Sequence, residues 1–275
     1  VWRIRGGELP LDRTLLMGVV NATPDSFSDG GAYDPAEQGE RLAAEGADVL
    51  DVGGESTRPG ALAVPADEEA RRVLPVVRRL AAAGRVVSID TGKARVARDA
   101  LAAGARIVND VTAGADPEMF PLVAREGAGI VLVHMQGEPR TMQRDPRYED
   151  VVKEVAAFLL ERARAAEAAG VPRACLAIDP GIGFGKTTEH NLELLRHLDE
   201  IKRLGYPVLV GASRKAFLGK LTAAGGEAPG PQDRLEATLA AHALAAANGA
   251  DVIRAHDVRE HRRALAVVDA WIGSR

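Results

Sequence analysis

The sequence holds a single cysteine, Cys175, which excludes an intramolecular disulfide and any metal centre built from a cysteine cluster. Cys175 stands beside Leu176 in an apolar run, so it reads as an inert buried thiol suited to a reducing cytoplasm. No apolar stretch approaches the ~20 residues that a membrane-spanning helix needs. Val1 to Pro10 lack an apolar run of the leader type. An excess of positive charge is missing too. The formal net charge of −4 argues against general nucleic-acid binding, while local basic groups remain free to hold an anion. No linker, low-complexity stretch or sequence repeat divides the chain. What is present is a hydrophobic content of 46% over 275 residues, enough for a large core in one unit. Barrels of eight strand–helix units run to ~250 residues as single domains.

Short β-rich runs alternate with longer segments of Ala, Leu, Arg and Glu. The runs fall at 14–20, 48–52, 85–89, 106–108, 129–133, 174–178, 207–210 and 251–253. The helical segments between and after them fall at about 35–45, 67–83, 93–103, 117–126, 148–169, 188–204, 231–247 and 258–272. Several helical segments stop at a glycine (Gly46, Gly84, Gly104, Gly127, Gly170), the residue a left-handed C-cap favours. Within 148–169, Val151, Val155, Phe158 and Leu159 share one face at helical spacing. Strict alternation implies a parallel sheet, and near-continuous apolar strands imply burial on both faces. The expectation is an α/β fold: one (β/α)8 TIM barrel over 1–275, with 1–13 forming a small hairpin or plug.

In such a barrel the chemistry sits where the chain leaves each strand at its carboxyl end. The first polar residues there are Asn21, then Gly53-Gly54-Glu55-Ser56-Thr57-Arg58, Asp90, Asn109 with Asp110, His134, Asp179, Ser213-Arg214-Lys215, and Arg254 with His256. Helix capping and loop solvation explain any one of them. They explain less well why every run ends this way, so a shared ligand site is expected. Asp90, Asn109 and Asp179 supply acceptors for a ring edge with adjacent N–H and amino groups, as in pterins and guanine. Arg58, Lys215, Arg254 and His256 suit an anion such as a diphosphate. Asn21 offers a neutral oxygen to a hard cation such as Mg2+, but no carboxylate cage accompanies it. The loops 21–31 and 53–60 are polar and glycine-rich, as lids are. The run Gly181 to Thr187 imitates a phosphate-binding loop with one residue too few, and reads as a tight turn with Phe184 as an apolar wall. His190, His197, His242 and His261 lie on helical segments without metal-ligand spacing and read as surface or packing residues.

Asn21-Ala22-Thr23-Pro24-Asp25-Ser26-Phe27-Ser28-Asp29-Gly30-Gly31 and Gly53-Gly54-Glu55-Ser56-Thr57-Arg58-Pro59-Gly60 resemble the two signatures of the dihydropteroate synthase family. Asp179 to Lys186, Ser213-Arg214-Lys215 and Arg254-Ala255-His256-Asp257 are similar to the family's later motifs, so the resemblance runs from about Leu15 to the last helix. It implies the joining of 6-hydroxymethyl-7,8-dihydropterin diphosphate to 4-aminobenzoate, the folate-pathway transfer that sulfonamides block. It implies that Asp90, Asn109, Asp179 and Lys215 hold the pterin, Asn21 binds Mg2+, and Arg254 and His256 take the diphosphate. Phe27, Thr57, Arg58, Pro59, Phe184 and Lys215 would form the 4-aminobenzoate site, with Thr57 also near the pterin diphosphate. Asp29 would assist the cation or the metal. Lys215, Arg254, His256, Asp29 and Arg58 form the expected catalytic set. The resemblance also implies a homodimer in the cytoplasm. Ile182 stands where many members have an aromatic residue, and Ala216 where many have serine. The readings set against this one are a methyltetrahydrofolate-dependent methyltransferase with a corrinoid partner, a non-catalytic paralogue serving as a binding or scaffold protein, and an unrelated phosphate-binding aldolase or isomerase.

Overall fold

The computed structural model describes residues 1–23, 34–56, 60–223 and 225–273. The chain opens with an antiparallel pair, β1 (Trp2–Ile4) and β2 (Gly7–Leu9). Then come β3 (Leu15–Asn21), α1 (Pro35–Ala44), β4 (Val49–Gly53), α2 (Ala66–Ala82), β5 (Val87–Asp90) and α3 (Ala94–Ala102). They are followed by β6 (Ile107–Asp110), α4 (Met119–Glu126), β7 (Gly129–Val133), α5 (Val151–Ala168) and β8 (Leu176–Asp179). The rest is α6 (Thr188–Arg196), α7 (Leu198–Lys202), β9 (Leu209–Val210), α8 (Ala216–Leu221), α9 (Leu235–Ala247), β10 (Val252–Ala255) and α10 (Val258–Ile272).

The strands from β3 onward form one parallel sheet of eight in the order β8-β7-β6-β5-β4-β3-β10-β9. A parallel bridge between Ile178 and Val208 joins its two ends, so the sheet closes into a (β/α)8 barrel. Alternate strand residues then part company. Leu16, Leu50, Ile89, Val108, Ile130 and Ile178 join the helices in an outer layer of core. Met17, Val49, Ile107, Val131, Ala177 and Val252 fill the lumen, and Trp2 and Ile4 of the first hairpin seal it from below. The Trp2 indole donates to the Cys175 carbonyl at 3.0 Å, which removes the penalty for burying its N–H.

Local sequence sets the helix ends. Asp34 caps α1, with Pro35 in its first turn, and Asp150 caps α5 through the Lys153 amide. Thr187 and His190 cap α6 reciprocally. The elements differ from the sequence expectation in three ways. β5, β6 and β8 run on to Asp90, Asp110 and Asp179, because ladder pairing ignores side-chain polarity where the lumen opens to a site. The helix expected over 188–204 breaks at His197 into α6 and α7. A short helix, α8, forms directly after Lys215, where a loop was expected.

Candidate active site

The register stacks the polar ends into one tier. Asn21 lies opposite Gly53, Gly53 opposite Asp90, and Asp90 opposite Asn109. Beneath this tier, strand alternation places Asp51 in the lumen two residues before Gly53, and Ser88 two before Asp90. Asp51 and Ser88 are fully buried.

Arg254 is the hub. Its Nε donates to Asp51 Oδ2 at 2.6 Å and its Nη2 to Asp90 Oδ2 at 2.7 Å. Asn109 Nδ2 donates to the same Asp51 oxygen at 3.0 Å. Burial works against the charge on Arg254, but Asp51, Asp90 and Asp179 hold its pKa above the ordinary value. Burial pushes Asp90 up to about 7 against the pull of Arg254, with Asp51, Glu69 and Asp110 adding repulsion. Two acids on one guanidinium leave acceptor capacity over. Asp51 Oδ1, Asn109 Oδ1 and Ser88 Oγ are buried with no hydrogen-bond partner among the described residues. Such atoms are rare in a finished core, and these three sit together in the lumen at or below the polar tier, where the donors of a bound ligand can reach them.

Asp179 forms the opposite wall. Its Oδ1 accepts from the Gly181 amide at 2.7 Å, and burial raises its pKa despite that bond and the nearby Lys215 and Lys186. Gly181, Gly183 and Gly185 all have positive φ. A Cβ on Gly181 would lie 1.8 Å from the His134 carbonyl oxygen, so this turn requires glycine there. The Gly183 amide donates to Asn191 Oδ1 at 2.6 Å, and the Tyr148 hydroxyl donates to the Gly185 carbonyl at 2.9 Å. Two amides that a phosphate loop would offer to its ligand are thus committed inside the protein, to Asp179 and Asn191.

Cations line the rim of this wall. Lys215 Nζ donates to the Ile182 carbonyl and lies 3.9 Å from the centroid of the Phe184 ring. Burial lowers its pKa to about 8, with Asp179 opposing the shift. Lys186 is almost wholly buried, 2.9 Å from His134 Nδ1, and donates to the Phe184 carbonyl at 3.0 Å. Burial brings its pKa down to about 7, and burial together with Lys186 brings His134 down to about 3, so that imidazole is neutral. His256 Nδ1 stands 2.9 Å from Ser213 Oγ, and its amide donates to the same oxygen at 3.2 Å. Arg214 pairs with Asp257 through two hydrogen bonds, at 3.2 and 2.5 Å.

The structure therefore brings Asp90, Asn109, Asp179, Phe184, Lys215, Arg254 and His256 to one end of the barrel, with half-buried Asn21 on the same tier. Phe27, Asp29, Thr57, Arg58 and Pro59 lie outside the described residues. The separation of an acidic edge from a basic one is less sharp than the sequence suggests. Arg254 spends two of its donors on the acids, because buried carboxylates need a counter-charge. Two residues escaped the sequence reading. Asp51 sits inside an apolar run, but its parity with Gly53 and its charge in a buried strand could have exposed it. Lys186 is hidden in sequence by lying inside a run that imitates a phosphate loop without completing it. Among the described residues no group of three or more His, Cys, Asp or Glu side chains could hold a metal. One neutral side-chain oxygen at Asn21 suits a mostly hydrated divalent cation and not one held by protein alone.

The pattern of the pterin binding enzymes matches residues 17–256. The chain belongs to that family. Among the pterin binding enzymes, it is 51% identical over 265 residues to the dihydropteroate synthase of Mycobacterium leprae (strain TN), an alignment covering 94% of this chain and 93% of the relative. It superposes on the Xanthomonas albilineans dihydropteroate synthase with 4-aminobenzoic acid at a TM-score of 0.91, with 48% identity and 99% of each chain covered. The same enzyme in complex with 7,8-dihydropteroate gives a TM-score of 0.89, with 46% identity over 99% of this chain and 100% of the other.

Proposed function

We propose that this chain condenses 6-hydroxymethyl-7,8-dihydropterin diphosphate with 4-aminobenzoate, giving 7,8-dihydropteroate and diphosphate. The carrying observation is the set of buried acceptors, Asp51 Oδ1 and Asn109 Oδ1, which share the lumen with Asp90 and Asp179 at the end of the barrel that also carries Lys215, Arg254 and His256. A pterin's ring N–H and amino groups supply the missing donors. Of its relatives, the one from Mycobacterium leprae is a dihydropteroate synthase, and the Xanthomonas albilineans neighbour is one in complex with 7,8-dihydropteroate. That supports this reading over the methyltransferase, scaffold and aldolase alternatives.

Asp90, Asn109 and Asp179 orient the pterin so that its methylene carbon points out of the lumen. The bond from that carbon to the diphosphate oxygen breaks, and the electron-rich ring spreads the positive charge left behind. Arg254, through the Nη1 not used by the acids, and His256 take up the charge developing on the leaving group. Mg2+, held at Asn21 and by the diphosphate itself, would add further neutralisation there. The aromatic amine, neutral at pH 7, then forms the carbon–nitrogen bond and gives its proton to water or to diphosphate. Phe184 and the aliphatic stem of Lys215 present an apolar wall that keeps water from the carbon. The roles of Phe27, Asp29, Thr57, Arg58 and Pro59 in closing the second substrate's site are carried by the motif resemblance alone.

The reading includes a homodimer. Leu244 on α9 and Val267 and Trp271 on α10 are large apolar side chains left 60–75% exposed on helices that pack together, which suits a self-complementary face. Light scattering should give twice the chain mass, and a monomer at micromolar concentration would reject this part. A cytoplasmic setting fits the lone thiol, and among the described residues no helix is long and apolar enough to cross a membrane. The deciding assay supplies both substrates and Mg2+ and seeks 7,8-dihydropteroate by mass spectrometry. Folded protein that yields none rejects the function.

A further inference from the structure

The segment after β9 carries Lys215, and through Ser213 it orients His256. Its backbone is nevertheless held from behind, by a helix outside the barrel. The Ala212 amide donates to His242 Nε2 at 2.8 Å, and the Arg214 amide donates to Thr238 Oγ1 at 3.2 Å. Thr238 and His242 lie four residues apart on α9, hence on one face, and both are fully buried. The Ala212 carbonyl accepts from the Lys215 amide at 3.2 Å, and the Arg214 carbonyl accepts from Arg234 at 2.8 Å. Arg214 itself has φ of +61°, a left-handed conformation that costs a residue with a Cβ. A segment containing such a residue keeps its shape only when its surroundings over-determine it.

Behind His242 stands a second buried imidazole. His242 Nδ1 is 2.8 Å from His261 Nε2, and His261 Nδ1 is 2.6 Å from the carbonyl oxygen of Asp257. The partners at the two ends fix every proton. A carbonyl only accepts, so His261 carries its proton on Nδ1. An amide N–H only donates, so His242 Nε2 is bare and its proton sits on Nδ1. The central bond then runs from His242 Nδ1–H to the bare Nε2 of His261. Both rings are neutral in this arrangement, and burial, the first cause for each, pushes both pKa values down in agreement with it. The chain of bonds begins at Ala212 and ends at Asp257, whose carboxylate grips Arg214 from the other side. It therefore ties residues 212–215 to residues 256–257, the two segments that carry Lys215 and His256.

We propose that His242 and His261, together with Thr238, are positioning residues that hold Lys215 and His256 in one preset arrangement for the diphosphate-bearing substrate. They touch no substrate and exchange no proton with it. The proposal rests on the roles given above to Lys215 and His256. Wild-type enzyme is therefore assayed first, and failure to form 7,8-dihydropteroate counts against the functional reading, not against the relay.

Nitrogen-15 NMR of the wild-type histidines tests the relay directly. His242 should be neutral with a protonated Nδ1 and a bare Nε2, and the opposite tautomer or a charged ring overturns the proposal. Kinetics test its purpose. Replacing His242 with leucine removes both bonds, whereas His242→Gln keeps one acceptor and one donor at similar separation. His242→Leu should lower kcat by ~10- to 100-fold and weaken binding of the pterin diphosphate, while 6-hydroxymethylpterin without diphosphate, which keeps Asp90, Asn109 and Asp179 and loses only its contact with Lys215, should lose binding by a clearly smaller factor. His242→Gln should recover most of the loss. Unchanged kcat, a parallel loss of bare-pterin binding, or no recovery in the glutamine variant overturns the proposal. Should the leucine variant fail to fold, Thr238→Val removes the second tie at nearly equal volume and is read by the same split.

Discussion

Arg254 reaches over the intervening strand β3 to Asp51, placing its Nε 2.6 Å from an oxygen of a carboxylate with no exposed surface. This contact fixes the direction of the guanidinium before any substrate arrives. Asp51→Ala removes one of the two acids hydrogen-bonded to Arg254 and strips Asn109 Nδ2 of its acceptor. Breaking a buried pair from one side costs about 3 kcal/mol, so a denaturant melt should show a loss of that order. Freed to rotate, Arg254 should also lose the leaving group, and kcat should fall by at least ~10-fold. Asp51→Asn keeps an oxygen for Arg254 and should retain more of both. Equal stability of the alanine variant and wild type would remove Asp51 from this role.

Lys215 supplies a pH signature. Burial lowers its pKa to about 8, so its ammonium is lost as pH rises through that value, far earlier than for an exposed lysine. The free enzyme's kcat/KM for the pterin diphosphate should therefore decline on the alkaline side near pH 8. Lys215→Arg keeps its charge across this range, and whatever its absolute rate, that decline should vanish from its profile. A decline that persists in the arginine variant belongs to another group.

What could be read in advance followed from position. Asp90, Asn109 and Asp179 each close an apolar run, so the contrast in polarity displays them, and strict alternation of runs and helical segments specifies the barrel. Asp51 is hidden because its neighbours, Val49, Leu50 and Val52, make the run look wholly apolar, and its value lies in a contact with Arg254 more than two hundred residues away. The acids and Arg254 looked like separate groups because linear order carries no sign of that contact. His242 and His261 look like ordinary helix residues for the same reason. Their meaning lies in the Ala212 amide and the Asp257 carbonyl, backbone groups to which sequence gives no individual identity.

Lys186 makes stability depend on pH in a calculable direction. Its folded pKa of about 7 lies below the ordinary lysine value, so between those two values the unfolded chain binds a proton that the native state does not. Stability from this group is fully present above the ordinary value and is lost as pH falls toward 7. Lys186→Met removes the titration. Wild type should therefore gain stability over the methionine variant as pH rises from about 7 to about 10. Paired chemical melts across that range measure the difference. A gap that stays constant would mean that Lys186 keeps its proton in the folded protein.

The two ends of the barrel should respond separately to mutation. Trp2 is fully buried among Leu15, Met17, Val49 and Ile107, at the amino ends of the strands, and its indole N–H caps the Cys175 carbonyl. The substrate groups stand at the opposite ends of the same strands. Trp2→Ala opens a cavity beneath the lumen and removes the indole hydrogen bond to that carbonyl, which should cost about 3–5 kcal/mol and lower Tm by several degrees. Trp2→Phe keeps most of the apolar contact and loses mainly the hydrogen bond, so its cost should be nearer 1 kcal/mol. Well below the melting transition, both variants should keep the kcat and both KM values of wild type, because Arg254, Asp90 and Asp179 take their positions from ladder pairs at the far end. A Trp2→Ala enzyme that stays folded yet loses kcat would show that the plug and the site are coupled through the lumen.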